Sequence, residues 1–180
     1  VQRPDLSRSA GIRAAGSRVL AAAGIGLDDV SWFDLYSCFP AAVEAAVDAL
    51  GLEATDQRGF TVTGGLPYHG GPGNNYVSHS IVEMARRCRA DPKGVGMVSG
   101  LGWYITKHSV GLWSATPPPK GWQAPDMSSV QASIDSTALE VVEAGAAVGT
   151  ARIDGYTVVH DRDTGPASVP VFASTPDGHR

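Results

Sequence analysis

The sequence predicts an α/β protein: a layered domain with a sheet between helices, followed by a small, mainly antiparallel β module. Three observations predict this. Helical patterns alternate with short apolar runs over residues 1–115. A run of three prolines then breaks the chain, and beyond it apolar residues recur at every second position. We therefore predict a domain at 1–115, a linker at 116–125 and the β module at 126–180.

The elements of the first domain follow from caps, prolines and apolar periodicity. Gly24 and Gly51 each end a helical pattern, and Pro40 suits the first turn of a helix. An aromatic and apolar run precedes Pro40 and indicates a buried parallel strand. The predicted elements are a helix at 10–23, a strand within 28–38, a helix at 40–50, a helix at 75–89, a strand at 95–100 and its antiparallel partner at 103–114.

The β module is predicted from alternation and turn residues. Residues 151–159 and 169–172 alternate apolar with polar positions, as do Leu139 and Val141, and Asp163-Thr164-Gly165 is a turn signal. The module contains few apolar residues for its length. We therefore expect it to need the first domain, or further C-terminal sequence, to complete its sheet.

Composition excludes several classes of function. The 180 residues have a net charge of −4 and no basic block, which argues against a nucleic-acid surface. No apolar run has membrane-spanning length and the chain does not open on a signal peptide, so we expect a cytoplasmic protein with no membrane partner. Cys38 and Cys88 form no Cys-x-x-Cys pair, so neither a disulfide framework nor a metal site is predicted.

A glycine-rich segment at residues 61–76 is predicted to be a tight loop around a site. It leads into the helix at 75–89, whose free N–H groups and dipole suit an oxyanion or a phosphate. The alternative is a structural loop without a ligand. Asn74 and Asn75 either orient a carbonyl group or, as we favour, cap the helix.

Three segments carry a resemblance to a known family. Residues 33–39, Phe-Asp-Leu-Tyr-Ser-Cys-Phe, are similar to the His-Asp-Cys-Phe block of sterol-carrier-protein-type thiolases. Residues 64–72 and 96–102 are similar to the Gly-Gly…Gly-His-Pro loop and the Cys-x-Gly block. In this order, they make residues 1–115 resemble the C-terminal half of the thiolase superfamily. The tail resembles that of thiolase-like protein type 1, which has an extra C-terminal domain.

The resemblance implies a protein of two similar βαβαβαββ halves that uses a coenzyme A thioester as substrate, with no covalently bound cofactor. The nucleophilic cysteine of the family lies in the N-terminal half, which this chain lacks. The chain is therefore expected to be a piece of a longer protein. The expected partners are acyl-CoA, the N-terminal half, and a second copy or a partner subunit.

The resemblance also shows departures from the thiolase pattern. Without gaps, the catalytic histidine of the family falls on Gly71, and the cysteine of Cys-x-Gly falls on Val98. Tyr36 stands at the first position of the His-Asp-Cys-Phe block. Claisen chemistry needs a base and a second thiol. Their loss would leave the oxyanion donors and a thioester pocket without that chemistry.

The candidate site residues follow from these segments. The catalytic candidates are His69, Tyr36, Cys38 and Ser99. The candidates for binding the substrate are Gly70, Gly71, Asn74, Asn75, Tyr76 and Gly100. His69 is either a displaced acid/base group or a plain loop histidine, and Cys38 is more typical of a small buried side chain than of a nucleophile. Cys88, His79 and His108 are expected to be structural.

Two functions remain open. The first is an acyl-CoA-binding protein related to acetyl-CoA acetyltransferases and other acyltransferases, with a diverged catalytic site. The alternative is a non-catalytic, thiolase-like binding or assembly subunit. A hydrolase or nucleotide-binding protein is disfavoured, because no Gly-x-Ser-x-Gly, P-loop or Gly-x-Gly-x-x-Gly motif follows a predicted strand.

Overall fold

The computed structural model describes residues 1–119, 121–143 and 145–180. Lys120, which belongs to the predicted linker at 116–125, lies outside the described residues. Contacts divide the chain into a larger unit, residues 7–131, and a smaller unit made of residues 1–6 and 132–180. The three predicted regions stay a prediction.

The elements of the described chain follow the predicted order over residues 1–115, with a 3-10 turn and one short helix added. They are α1 (Ala10–Ala23), a 3-10 turn (Leu27–Asp29), β1 (Trp32–Asp34), α2 (Pro40–Leu50), α3 (Leu66–His69), α4 (Tyr76–Ala90), β2 (Val95–Gly102), β3 (Lys107–Ser114), α5 (Ser128–Asp135), β4 (Arg152–Tyr156), β5 (Val159–Asp161), β6 (Gly165–Ser168) and β7 (Val171–Ser174).

The sheet of the larger unit has three strands in the order β1-β2-β3. β1 runs parallel to β2, with Phe33 opposite Met97, and β2 pairs with β3 as an antiparallel hairpin. Both Phe33 and Met97 are fully buried, in a core that α1 and α2 help to form. A second apolar cluster, around Met84, Cys88 and Val98, packs α4 against β2.

Local chemistry explains the helix bounds. Ser9 caps α1 by accepting a hydrogen bond from the backbone N–H of Ile12, and Gly24 ends the helix in a left-handed conformation. Pro40 begins α2 as expected. A β-carbon on Gly16 of α1 would lie 2.3 Å from Leu50 Cδ2, so a glycine is what lets the two helices pack this closely.

Several sequence predictions differ from the structure. The strand expected within 28–38 is three residues long, because Leu35 turns away from the sheet and donates its N–H to the Phe60 carbonyl. The strand expected from residue 103 begins only at Lys107. Residues 103–105 instead form a turn with φ values of 35°, 46° and 58°, which no strand can adopt. The short helices α3 and α5 were not predicted.

The smaller unit is mainly antiparallel β, as predicted. β4 pairs with β7 and β5 pairs with β6, both antiparallel. Asp161 starts the β5–β6 turn and accepts hydrogen bonds from the N–H groups of Asp163 and Thr164. Leu139 and Val141, predicted as strand residues, lie outside any strand. Among the described residues, none of the helices is long and apolar enough to cross a membrane.

Candidate functional site

The glycine-rich segment does wrap around a group, and that group is the carboxylate of Asp34. Asp34 ends β1 and is fully buried. Its Oδ2 accepts hydrogen bonds from the backbone N–H of Val62 at 3.0 Å and of Thr63 at 3.3 Å. The hydroxyls of Thr61 and Thr63 lie 3.0 and 3.2 Å from the same oxygen. The start of the segment is therefore held by one buried side chain.

The second oxygen of Asp34 binds α4. Oδ1 accepts hydrogen bonds from the Tyr76 hydroxyl at 2.9 Å and from the Ser80 hydroxyl at 2.6 Å. The Ser37 hydroxyl accepts the N–H of Leu66 at 2.8 Å and lies 3.4 Å from the Tyr76 hydroxyl. These hydrogen bonds offset the free-energy cost of burying the carboxylate, and they connect β1, the loop and α4.

Tyr36 and Ser99, two of the catalytic candidates, meet through a backbone contact. The Tyr36 N–H donates to Ser99 Oγ at 2.9 Å, and Ser99 is buried. The Tyr36 ring packs edge-on against Tyr76, with ring centroids 5.7 Å apart. Burial raises the pKa of the Tyr36 phenol, and the nearby Cys38 and Tyr76 raise it further. Tyr36 is therefore a neutral hydroxyl at physiological pH.

The second part of the glycine-rich segment holds His69. The segment forms the short helix α3, which ends at His69, and Gly70 follows with a φ of 76°. The imidazole of His69 is exposed and faces that of His79 on α4, with ring centroids 4.9 Å apart and an interplanar angle of 63°. His79 is half-buried. His108, by contrast, is tied into the fold through Ser9 Oγ at 3.1 Å.

Gly71 is packed against the first residue of α4. A β-carbon at position 71 would lie 2.6 Å from Tyr76 Cβ and 3.0 Å from the Tyr76 backbone nitrogen. Real β-carbons do not approach other atoms this closely, and here two of the three neighbours are backbone. No side chain fits at Gly71 unless the loop moves. A histidine cannot occupy the position that the thiolase pattern would give it in this loop conformation.

The second departure from the thiolase pattern, at position 98, is also explained by the packing of the core. Val98 is buried in the cluster with Met84 and Cys88, so it belongs to the core. Burial raises the pKa of the Cys88 thiol, whose Sγ lies 3.4 Å from the Trp113 carbonyl. Cys88 is therefore structural, as predicted. A β-carbon on Gly100 would meet Ser109 Oγ at 2.6 Å, so this glycine allows β2 and β3 to approach.

The predicted side-chain cap of α4 is wrong. Asn75 occupies the N-cap position, but its backbone lies in the helical region and its side chain makes no capping hydrogen bond. Asn74 and Asn75 are both exposed. Cys38 is half-buried, and no hydrogen bond joins its thiol to the described residues. The catalytic and binding roles of these residues stay predictions.

The segment at residues 33–39 contacts the other two segments of the resemblance: the Tyr36 N–H donates to Ser99 Oγ, and Ser37 Oγ accepts the Leu66 N–H. A cavity of about 10 Å³ lies beside Tyr36, Ser99, Gly100 and His108. This is room for one water molecule at most, and far less than a thioester needs. An open cavity of about 620 Å³ lies in the smaller unit, lined by residues that include Arg152, Ser174 and Arg180.

The sequence analysis missed Asp34, although it stands in one of the quoted motifs. The signal was present: a carboxylate in an otherwise apolar strand needs partners once it is buried. Its partners could not be named, because Thr61, Thr63 and Ser80 are 27 to 46 residues away along the chain. The pairing of His69 with His79 was also missed, since it depends on the turn between them.

The sheet, the helices and the loop around Asp34 define an α/β protein with a thiolase-like fold. A solved structure supports this assignment: the crystal structure of a monomeric SCP2-thiolase-like protein type 1 from Mycobacterium smegmatis matches with a TM-score of 0.88 and 38% sequence identity. The match covers 99% of this chain and 38% of that protein, so the chain spans little more than a third of its length. No protein-family model and no curated protein matches the chain.

This likeness supports the SCP2-thiolase-like family that the sequence motifs suggested. The chain's place in the C-terminal half and its extra β domain remain predictions. The match does not bear on substrate, activity or partners.

Proposed function

We propose that this chain is part of a thiolase-like protein that binds an acyl-CoA thioester and that has lost the Claisen chemistry of thiolases. The proposed loss of Claisen chemistry rests on one observation: the Gly71 backbone lies against Tyr76, with no room for a side chain. A thiolase needs an imidazole there, and the sulfur expected near Gly100 is replaced by the buried Val98.

The first half of the proposal rests on the polar groups that remain available near the thiolase positions. In the described residues, no hydrogen bond engages the Tyr36 hydroxyl, the Cys38 thiol or the His69 ring. A neutral tyrosine hydroxyl can donate to a thioester carbonyl, and an imidazole can move a proton near neutral pH. These groups suit binding and polarisation of a thioester, to which the remainder of the longer protein would contribute the other wall.

The test is a calorimetric titration of the full-length protein with coenzyme A and with acetyl-CoA. A second measurement follows the thiolysis of acetoacetyl-CoA, in which the coenzyme A sulfur attacks the ketone carbon and two acetyl-CoA molecules form. We expect saturable binding without thiolysis. Thiolysis at the rate of an ordinary thiolase contradicts the loss of Claisen chemistry, and the absence of any binding overturns the proposal as a whole.

Substitutions separate binding from catalysis. Tyr36→Phe removes the hydroxyl and should weaken acetyl-CoA binding by about three- to tenfold, the equivalent of one hydrogen bond. The control is His160→Ala, which removes an exposed histidine from β5. This variant should bind acetyl-CoA as the wild type does. If acetyl-CoA turns over in any transfer reaction and His69→Ala abolishes it, the protein is an acyltransferase with a relocated base.

A second candidate is a non-catalytic assembly subunit, and exposed aromatic side chains favour it. Phe39, Tyr68, Trp103 and Tyr104 are each at least 70% exposed, which is unusual for large apolar residues. Aromatic residues of this kind are typical of interface centres. Binding of a protein partner by the full-length protein, with no affinity for coenzyme A, would favour this function over the first.

A further inference from the structure

We propose that His69 and His79 form a two-imidazole site for a divalent transition-metal ion of the class that includes Cu²⁺, Ni²⁺ and Zn²⁺. The site goes beyond the proposed thioester function and does not depend on it. It is assembled from the last residue of α3 and the first turn of α4, which the glycine-rich turn at residues 70–75 brings together. The two histidines are ten positions apart in the sequence, so their spacing alone does not indicate a metal site.

The distance between the rings fits a shared ion. Imidazole nitrogens bind Zn²⁺ at about 2.0–2.1 Å, and the ring centroid lies roughly 1.1 Å behind the nitrogen. Two imidazoles on one ion, at N–metal–N angles of about 90–109°, therefore place their centroids roughly 4.5–5.2 Å apart. The observed separation of 4.9 Å lies inside this interval.

Both rings are available to an ion. The ring of neither His69 nor His79 makes a hydrogen bond or an ion pair with the described residues. Of the other three histidines, two have such partners for their rings, and the third has no neighbouring histidine in the described chain. His108 is bound to Ser9 and to the Ile105 carbonyl, and His179 lies 3.4 Å from Glu140 and 3.2 Å from Asp177. His160 stands on β5 without a second histidine beside it in the described chain.

The backbone places the two histidines side by side before an ion binds. The connection from α3 to α4 is six residues long, and it is pinned where Gly71 lies against Tyr76. Gly70 and Gly73, at φ values of 76° and 62°, supply the left-handed turns that this path needs. Because the backbone brings the two histidines together in advance, less conformational entropy is lost when an ion binds.

The chemistry of the ligands selects the class of ion. Imidazole suits Cu²⁺, Ni²⁺ and Zn²⁺, whereas Mg²⁺ and Ca²⁺ prefer oxygen ligands. No group of three or more His, Cys, Asp or Glu residues in the described part of the chain is arranged to hold a metal. An ion on His69 and His79 would therefore keep at least two coordination positions for water or for an added ligand.

The test uses the 180-residue chain without a polyhistidine tag. Cu²⁺ is titrated by calorimetry, and the electron paramagnetic resonance spectrum of the copper complex reports how many nitrogens it binds. We expect one equivalent of Cu²⁺ with two nitrogen ligands, and no comparable binding of Mg²⁺. His69→Ala and His79→Ala should each weaken the site by about tenfold or more, and the double variant should lose little beyond either single one.

The matched controls are His160→Ala and His179→Ala, which remove exposed or half-exposed histidines elsewhere. Both should bind Cu²⁺ as the wild type does, and circular dichroism should show that all variants are folded. The proposal is overturned if copper binds without nitrogen couplings from two imidazoles, if either control variant removes the site, or if the His69 and His79 variants bind within twofold of the wild type. In that last case the ring pair is an ordinary edge-to-face contact.

Discussion

The two parts of the glycine-rich segment differ in what holds them. In the first part, residues 61–65, the polar groups converge on the buried carboxylate of Asp34, which also binds α4 through Tyr76 and Ser80. In the second part, residues 66–75, the chain is shaped by glycine turns and by the contact of Gly71 with Tyr76. There the imidazole of His69 contacts the ring of His79 and makes no hydrogen bond within the described part of the chain.

Within one motif, the first part therefore stabilises the fold, and the second part is available to bind a ligand. Polar groups that are satisfied by the protein itself stabilise the fold, and they are not free to meet a ligand. Groups left without a protein partner, at the surface and beside glycine turns, can meet a ligand at little cost to the fold. We therefore expect substitutions in the first part to cost stability, and substitutions of His69 to cost binding.

The largest loss is expected for Asp34→Ala. The change removes the acceptor for the buried Tyr76 and Ser80 hydroxyls and for two partly buried backbone N–H groups. Each stranded donor costs about 1–3 kcal/mol, and some hydroxyls will pair with one another, so the free energy of unfolding should fall by about 3 kcal/mol or more. Urea denaturation measures it.

Asp48→Ala is the control for this loss. Asp48 is a half-exposed carboxylate of α2, and the guanidinium groups of Arg8 and Arg13 lie 4.0 and 3.8 Å away. Its removal should change the free energy of unfolding by less than about 1 kcal/mol. Equal losses in the two variants would mean that the Asp34 network does not stabilise the fold.

A smaller loss is expected for Gly71→Ala. The added methyl group would overlap the backbone of Tyr76, so the loop must shift, at a cost of about 1–3 kcal/mol. Gly155→Ala places a methyl group where nothing lies within 4 Å, and it should cost much less. If Gly71→Ala is as stable as Gly155→Ala, the loop has room for a side chain, and the argument against a thiolase-like histidine fails.

The sequence predicted the parts of the fold that local chemistry determines. Pro40 and Gly51 placed α2 correctly, and Gly24 placed the end of α1. It could not predict that β1 ends at Asp34, because the strand stops where the carboxylate meets partners distant in the chain. It also could not predict α3, since a four-residue helix within a glycine-rich loop depends on the packing around it.

A pH effect should appear at the entry to the first part of the segment. The Arg58 guanidinium hydrogen-bonds both oxygens of Asp56 and lowers the pKa of that carboxyl from 3.8 to about 2. Arg58 also donates to the Leu27 and Val30 carbonyls, which anchors the chain before Thr61. A lowered pKa in the folded state means stability that is complete above about pH 4 and is lost as the pH falls toward 2.

Urea midpoints between pH 5 and pH 2 measure this contribution, which should be smaller than the two losses above because the pair is only partly buried. Asp56→Asn should be less stable than the wild type at pH 5, and its stability should fall less steeply below pH 4. Parallel curves for the two proteins would show that Asp56 and Arg58 do not act together.

The smallest effect on stability is expected for His69→Ala. The exposed ring makes no hydrogen bond to the described residues, so the free energy of unfolding should change by about 0.5 kcal/mol or less. His108→Ala is the contrasting control. It removes a half-buried ring that bridges Ser9 and the Ile105 carbonyl, and it should cost about 1–2 kcal/mol. If His69→Ala destabilises the protein as much as His108→Ala does, the second part of the segment is scaffold as well, and the contrast between the two parts disappears.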